Sequence, residues 1–239
     1  SGLKTVDGVV TWDKVAMGSV GIIAWRHPDA IINNVRIESN RLHDLSVGII
    51  VGAGPQDANR NVTVANNIIS NNEQGLRLNG QDSTNTYLVA YNTLYNNGTN
   101  LYLAPINGPE TKGNLSVQPT EYHVVSAGGG GTSAIENNAY APDGPLFMTS
   151  NPSDSSLDKV YENLATWQQL FAYDLGSVSY DSPEFVYIDP FESADFKLSA
   201  SSPFIDGVYD LIDGINMDFG GQVRSVGSAP DFGAWENQM

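Results

Sequence analysis

The sequence contains no cysteine, and only 11 of its 239 residues are lysine or arginine. The first absence excludes a disulfide framework and thiol chemistry and leaves the compartment open. The second leaves a formal net charge of −16. Such a chain has no cationic surface with which to release phosphate counterions, which argues against nucleic acid as a partner. It argues against anionic membranes for the same reason. No run of 18 apolar residues occurs, so no membrane-spanning helix is encoded. Three widely separated histidines offer no zinc-site spacing.

Charged residues make up only 16% of the chain, so its polar surface leans on Asn, Ser, Thr and Gly. The charge is uneven. Residues 1–138 hold 11 acidic and 8 basic side chains, whereas residues 139–239 hold 16 and 3. The hydrophobic content of 41% is ordinary and supports a sizeable core.

What is present is a repeat. From about residue 7 to residue 104 one pattern returns four times: an alternating strand, a polar turn residue, a short second strand, and a third strand opening at Gly or Asn. The turn and opener pairs are Asp13 and Gly21, Asn40 and Gly48, Asn67 and Gly75, Asn92 and Asn100. The inner interval is eight residues in every copy, while the period drifts from 27 to 25. A period in this range with strand-type alternation predicts an all-β solenoid. Alternation turns Val35 and Ile37, Val62 and Val64, and Tyr87 and Val89 inward. Asn40, Asn67 and Asn92 then stack at one turn station, with Asp13 before them and Asn138 after, and hydrogen-bond along the stack.

The period breaks after residue 104. Residues 121–125 read as an isolated strand, 139–155 as a long surface loop, and Leu157–Phe171 as the single helix, packed near the solenoid end. The expected division is 1–138 as coils and 139–239 as an acidic region packed on them, one domain overall. The chain opens only a few residues before the first turn, which suggests further N-terminal coils, missing or stacked from elsewhere.

The Asn turns and Gly-opened strands resemble a right-handed parallel β-helix of the pectate-lyase-like superfamily. The C-terminal third resembles the tail of secreted bacterial β-helix proteins associated with polysaccharide breakdown. The stretches that carry this are Asp218-Phe-Gly-Gly-Gln-Val-Arg224 and Pro230-Asp-Phe-Gly-Ala-Trp-Glu236. The resemblance implies a secreted or cell-surface protein with a polysaccharide as partner, and a groove along the third strand and the loops after it. The superfamily hosts lyases, hydrolases, esterases, epimerases and non-catalytic adhesins, so the fold does not select a reaction.

The repeat register names what faces that groove. Ile23, Ile50, Arg77 and Tyr102 share one outward column, and Trp25, Gly52, Asn79 and Ala104 the next. Trp25 and Tyr102 suit the apolar faces of sugar rings, and Asn79 and Arg26 their hydroxyl rims; the bland alternative is an ordinary exposed sheet face. Asp29, Asp57 and Asp82 follow the third strands at 8, 9 and 7 residues from their openers. In coils about 4.8 Å apart they can act as a carboxylate pair for glycoside hydrolysis, hold Ca²⁺, or be solvated loop acids. For lyase chemistry Arg77 is the cation placed by register, with Arg26 and His27 next. His43-Asp44 sits at a corner and reads as a local hydrogen bond. Asp213, Asn216 and Asp218 alternate oxygen ligands in the tail and offer a calcium site without the closing Glu of an EF-hand. No cofactor is otherwise required. Three functions remain: polysaccharide cleavage by a hydrolase or lyase, a non-catalytic glycan-binding or adhesin-like module, or a phage or surface stalk, which predicts trimer contacts and longer repeats.

Overall fold

The computed structural model describes residues 4–6, 9–11, 19–25, 33–52, 60–80, 86–106, 109–128, 134–151, 153–171, 174–188, 196–224 and 227–238. The chain starts with an antiparallel pair, β1 (Lys4–Val6) and β2 (Val9–Thr11), followed by β3 (Val20–Trp25). Successive coils then add three strands each. They are β4 (Asn33–Glu38), β5 (Arg41–His43) and β6 (Val47–Gly52); β7 (Arg60–Ala65), β8 (Ile68–Ser70) and β9 (Gln74–Gly80); and β10 (Tyr87–Ala90), β11 (Thr93–Tyr95) and β12 (Thr99–Ile106). They continue as β13 (Pro109–Lys112), β14 (Leu115–Val117) and β15 (Tyr122–Ala127), then β16 (Ala134–Ile135), β17 (Ala139–Ala141) and β18 (Phe147–Ser150). Last come β19 (Lys159–Tyr161), α1 (Leu164–Phe171) and β20 (Val178–Ser179).

Corresponding strands pair in parallel and form three sheets. The first runs β16-β13-β10-β7-β4, the second β20-β17-β14-β11-β8-β5, and the third β19-β18-β15-β12-β9-β6-β3. This is the all-β solenoid that the repeat predicts, and it fits the right-handed parallel β-helix that the resemblance implies. Every coil sends the same register inward. Ile22, Ile49, Leu76, Leu101, Val124 and Phe147 stack down the third sheet, and Ile37, Val64 and Val89 down the first. All of these are buried, each contributing roughly 1.5–3 kcal/mol from removed apolar surface.

The corners hold the coils in register. Asn67, Asn92, Asn114 and Asn138 each accept, at Oδ1, both the backbone N–H and the Nδ2–H of the ladder Asn one coil earlier, at 2.9–3.1 Å. Nδ2 of Asn67, Asn92, Asn114 and Asn138 also donates to a strand carbonyl of the previous coil: Ile37, Val64, Val89 and Thr111. The asparagine column is therefore real, and Asn138 belongs to it.

Several expectations change. The ladder does not skip from Asn92 to Asn138: Asn114 continues it, and the coils run through β18, so residues 139–141 and 147–150, expected as loop, are strands. The expected boundary at 138 accordingly falls inside the solenoid. At the other end, β2 pairs with β1 instead of leading the first sheet, which starts at β4; Asp13 lies outside the described residues. The helix is also shorter than Leu157–Phe171. A 3₁₀ turn at Ser155–Leu157 is capped by Asp154, whose Oδ1 accepts from Ser156 N–H at 3.0 Å. Lys159–Tyr161 then folds back antiparallel onto β18. Only after that does Asn163, accepting from Thr166 N–H at 2.8 Å, start α1. Leu157 and Val160 are exposed, whereas Leu164 and Trp167 close the solenoid interior, with Trp167 stacked 5.8 Å from Phe147.

The tail packs along the outside of the solenoid. Phe204, Val208, Ile212, Ile215 and Phe232 cover Ala65, Ala90, Leu115, Val117, Ala139 and Ala141, which point outward from the first and second sheets. Arg224 is fully buried at this seam. Its Nη2 donates to Asn66 Oδ1 (2.8 Å), Gly233 O (2.8 Å) and Ala234 O (2.9 Å), and its guanidinium lies 3.9 Å from the Tyr91 ring. It pairs with Glu236 at 3.5 Å, so it is a structural cation.

Candidate functional site

From β8 to β17 the second sheet is mostly buried on both faces, and from β3 to β12 the third sheet keeps an open outward one. Pairing places Ile23 beside Ile50, Ile50 beside Arg77 and Arg77 beside Tyr102, the column read from the repeat. Val125 and Met148 extend it. Ile23 and Trp25 remain 47% and 49% exposed, unusual for side chains of their size in a sheet.

Trp25 pairs with Gly52 in the next coil. A Cβ on Gly52 would lie 2.2 Å from Trp25 Cζ3, so the indole lies across a backbone that only glycine leaves clear. Arg77 leans one coil onward. Its guanidinium carbon sits 5.0 Å from the Tyr102 ring centroid, and Nε donates to Asn79 Oδ1 at 3.2 Å. Ring and amide together orient the guanidinium, and among the described residues no carboxylate pairs with it. The expected second column is partly displaced. Leu103 pairs with Leu78 but Ile106 with Gly80, so a bulge falls at Ala104 and Asn79 has no one-to-one partner there. Asn79 is also mostly buried, with its carbonyl accepting from Tyr87 Oη at 3.3 Å.

The structure therefore brings together Trp25, Arg77, Asn79 and Tyr102 on one face. Arg26, His27, Asp29, Asp57 and Asp82 lie outside the described residues. Asp213, Asn216 and Asp218 lie in the tail. Asp218 Oδ1 accepts from Gln222 N–H at 2.7 Å and Oδ2 from Glu236 N–H at 3.2 Å, while Asn216 O accepts from Arg224 N–H. Asp213 is exposed, and among the described residues no three His, Asp or Glu side chains gather as a metal cluster. His43 Nδ1 lies 2.7 Å from Asp44 Oδ2 at a corner where Asp44 has φ 58°, the local bond expected.

Sequence reading missed a second buried polar chain. Leu45 N–H and Asn72 start it at the other corner: Asn72 N–H and Nδ2–H both donate to Asn97 Oδ1, and Asn97 Nδ2–H to Asn100 Oδ1. Asn100 Nδ2–H then donates to Ser116 Oγ at 2.8 Å, and Ser116 lies 2.8 Å from His123 Nδ1. His123 Nε2 ends the chain 2.8 Å from Pro142 O. A carbonyl can only accept, so Nε2 carries the proton and Nδ1 accepts from Ser116. Burial lowers the His123 pKa to about 4, with the Pro142 hydrogen bond and Asp143 opposing, so the ring is neutral at pH 7. The signal was present, since Asn72 and Asn97 recur at the ladder's own 25-residue interval.

A third buried group closes the ladder's end. Asp174 accepts from Tyr140 Oη at 2.6 Å and from Ser177 Oγ, while Ser177 Oγ accepts Asn138 N–H. Burial raises the Asp174 pKa against these hydrogen bonds, and raises that of Tyr140 with the carboxylate beside it. Both are closed off from solvent and brace the end of the ladder.

No protein-family model, no curated protein and no solved structure matches this chain.

Proposed function

We propose that the protein is an extracellular, pectate-lyase-like β-helix that recognises a polysaccharide laid along the outward face of its third sheet. The observation that carries this reading is the set of Trp25, Arg77 and Tyr102 on a sheet face that the tail leaves open. An indole lying flat on a glycine offers a platform for the C–H face of a sugar ring. A guanidinium held by a ring and an amide offers its remaining N–H groups to hydroxyl or carboxylate oxygens without the entropy cost of a free side chain.

Recognition is the part of the function that this face supports. The outward column from Ile23 to Met148 carries no carboxylate, so cleavage draws on acids outside it. Asp29, Asp57 and Asp82, which follow β3, β6 and β9 in the sequence, are the proposed source, and they are also where Ca²⁺ would be held. A screen of neutral and uronate polysaccharides, read by binding, by absorbance at about 235 nm and by reducing ends, separates the outcomes, with unsaturation marking the β-elimination that a base and cation perform. New unsaturation establishes a lyase, and reducing ends without it a hydrolase. Binding alone leaves a recognition module, and absence of binding across the panel removes the reading.

A further inference from the structure

A cleft of about 700 Å³ lies between the first sheet and the tail. That volume falls within the range of small-ligand sites. Its floor is the outward register of the first sheet, where Lys112 is one coil before Glu136 and Glu110 stands two residues from Lys112. One wall is the tail segment from Val208 to Asp213, and Leu175 and Gly176 close one end. Tyr209 stands at the rim with 80% of its surface exposed, beside exposed Leu175 and Leu211. A Cβ on Gly176, whose φ is +77°, would come within 3.8 Å of Tyr209 Cε2.

The hydrogen-bonding inventory of this cleft is one-sided. Lys112 Nζ is already engaged by Glu110 at 2.6 Å. Glu136, Asp210 and Asp213 have no side-chain partner among the described residues. Asn137 also lines the cleft, and among the described residues its Oδ1 accepts no hydrogen bond. The cleft thus presents acceptors in surplus, a negative field, and an aromatic ring with apolar neighbours at its mouth. A ligand that completes it brings N–H and O–H donors, positive charge and an apolar face.

We infer that the cleft binds an amino-sugar segment of a glycan, with the ammonium groups toward Glu136 and Asp210 and a ring face on Tyr209. The site is separate from the third-sheet face and stands without it. The same field repels uronate or sulfated chains.

The test is isothermal titration of the intact protein with a fully deacetylated glucosamine hexamer, its fully N-acetylated counterpart, and spermidine. The deacetylated hexamer should bind saturably, at least about 10-fold tighter than the acetylated one, and weaken as salt is raised. Glu136→Gln with Asp210→Asn should weaken it about 10-fold, and Tyr209→Ala about 5-fold. These residues are exposed, so the variants fold, as circular dichroism will show. Arg77→Ala on the third sheet should leave this binding unchanged. Absence of saturable binding overturns the inference. So does binding that neither cleft variant alters, binding that Arg77→Ala alters equally, or spermidine binding as tight as the hexamer, which would show an amine site with no use for the ring.

Discussion

Removing one amide from the middle of the asparagine ladder should cost far more than removing one from its end, and Asn92→Ala is the case to measure. Asn92 is fully buried, and its Oδ1 is the acceptor for Asn67 N–H at 3.0 Å and Asn67 Nδ2–H at 2.9 Å. Its own Nδ2 donates to Val64 O, Ala90 O and Asn114 Oδ1. The alanine variant strips Asn67 N–H of its partner in a site that water does not reach, which alone costs about 1–3 kcal/mol. With the donors lost to Val64 O and Asn114 Oδ1, the total comes to roughly 3–5 kcal/mol. Asn40 is half-buried, and among the described residues its side chain only donates, to Glu38 O and Asn67 Oδ1, so Asn40→Ala should cost about 1 kcal/mol. Asn92→Asp separates hydrogen bonding from size. It keeps the shape but turns an oxygen toward Val64 O and Ala90 O, and should lose at least as much as alanine. Urea unfolding gives the differences directly. In a domain of this size they correspond to a fall in Tm of roughly 10 °C for Asn92→Ala. An Asn92→Ala or Asn92→Asp protein within about 1 kcal/mol of the parent, the scale of a single net hydrogen bond, would refute the ladder as the source of register.

Other outcomes follow from neighbouring features. His123 has a folded pKa of about 4 against an unfolded value of about 6.5. The unfolded chain therefore binds the extra proton first. The stability contributed by the neutral ring is complete above about pH 6.5 and lost as pH falls toward 4, about 3 kcal/mol in all. Asp174 and Asp231, whose pKa values are raised, act in the opposite sense, so the slope must be read as the difference between parent and His123→Gln in urea titrations from pH 4 to 7. A difference that does not depend on pH would contradict this assignment. Gly75→Ala places a Cβ 2.7 Å from Asn100 O and 2.9 Å from Asn97 Nδ2, and should destabilise by about 1–3 kcal/mol in thermal melts. Arg224→Ala leaves Glu236 buried without its cation and Asn66 Oδ1 without its donor; it should cost about 3–5 kcal/mol and expose the tail to protease. Gly52→Val should displace the Trp25 indole, seen as a shift in tryptophan emission, with loss of glycan binding at unchanged secondary structure.

The solenoid was legible because the interval from turn Asn to strand opener is set by corner geometry and repeats unaltered, while the loops after the third strand absorb all variation. Reading failed where both frames changed together. Asn92 to Asn114 is only 22 residues, and the following opener, His123, comes nine residues after its turn instead of eight, because the corner at Gln118 is longer. A search at 25–27 residues therefore lost the coil of Asn114 and found only the turn strand of the next, at Asn138. The helix was overextended because Leu157, Val160, Leu164 and Trp167 happen to share helical spacing while lying in a 3₁₀ turn, an edge strand and a helix in succession. The outward column was readable from register alone, since a parallel stack fixes which side chains are neighbours. What holds Arg77 was not, because a ring one coil away and an amide two residues along its own strand are contacts of side-chain direction. Likewise Asn100 and His123 stand where other coils carry glycine, and only the stack reveals that they continue a polar chain.

The central claim is that a glycan lies along the third sheet, and chemical-shift mapping with the best-binding polysaccharide of the panel tests it most directly. The account predicts shifts at the Trp25 indole, at the Ile23 and Ile50 methyls, and at Arg77 and Tyr102, with Trp25→Ala and Arg77→Ala each weakening the affinity about 5- to 10-fold. Shifts confined to the tail, with that face silent and both variants binding as the parent does, would contradict it.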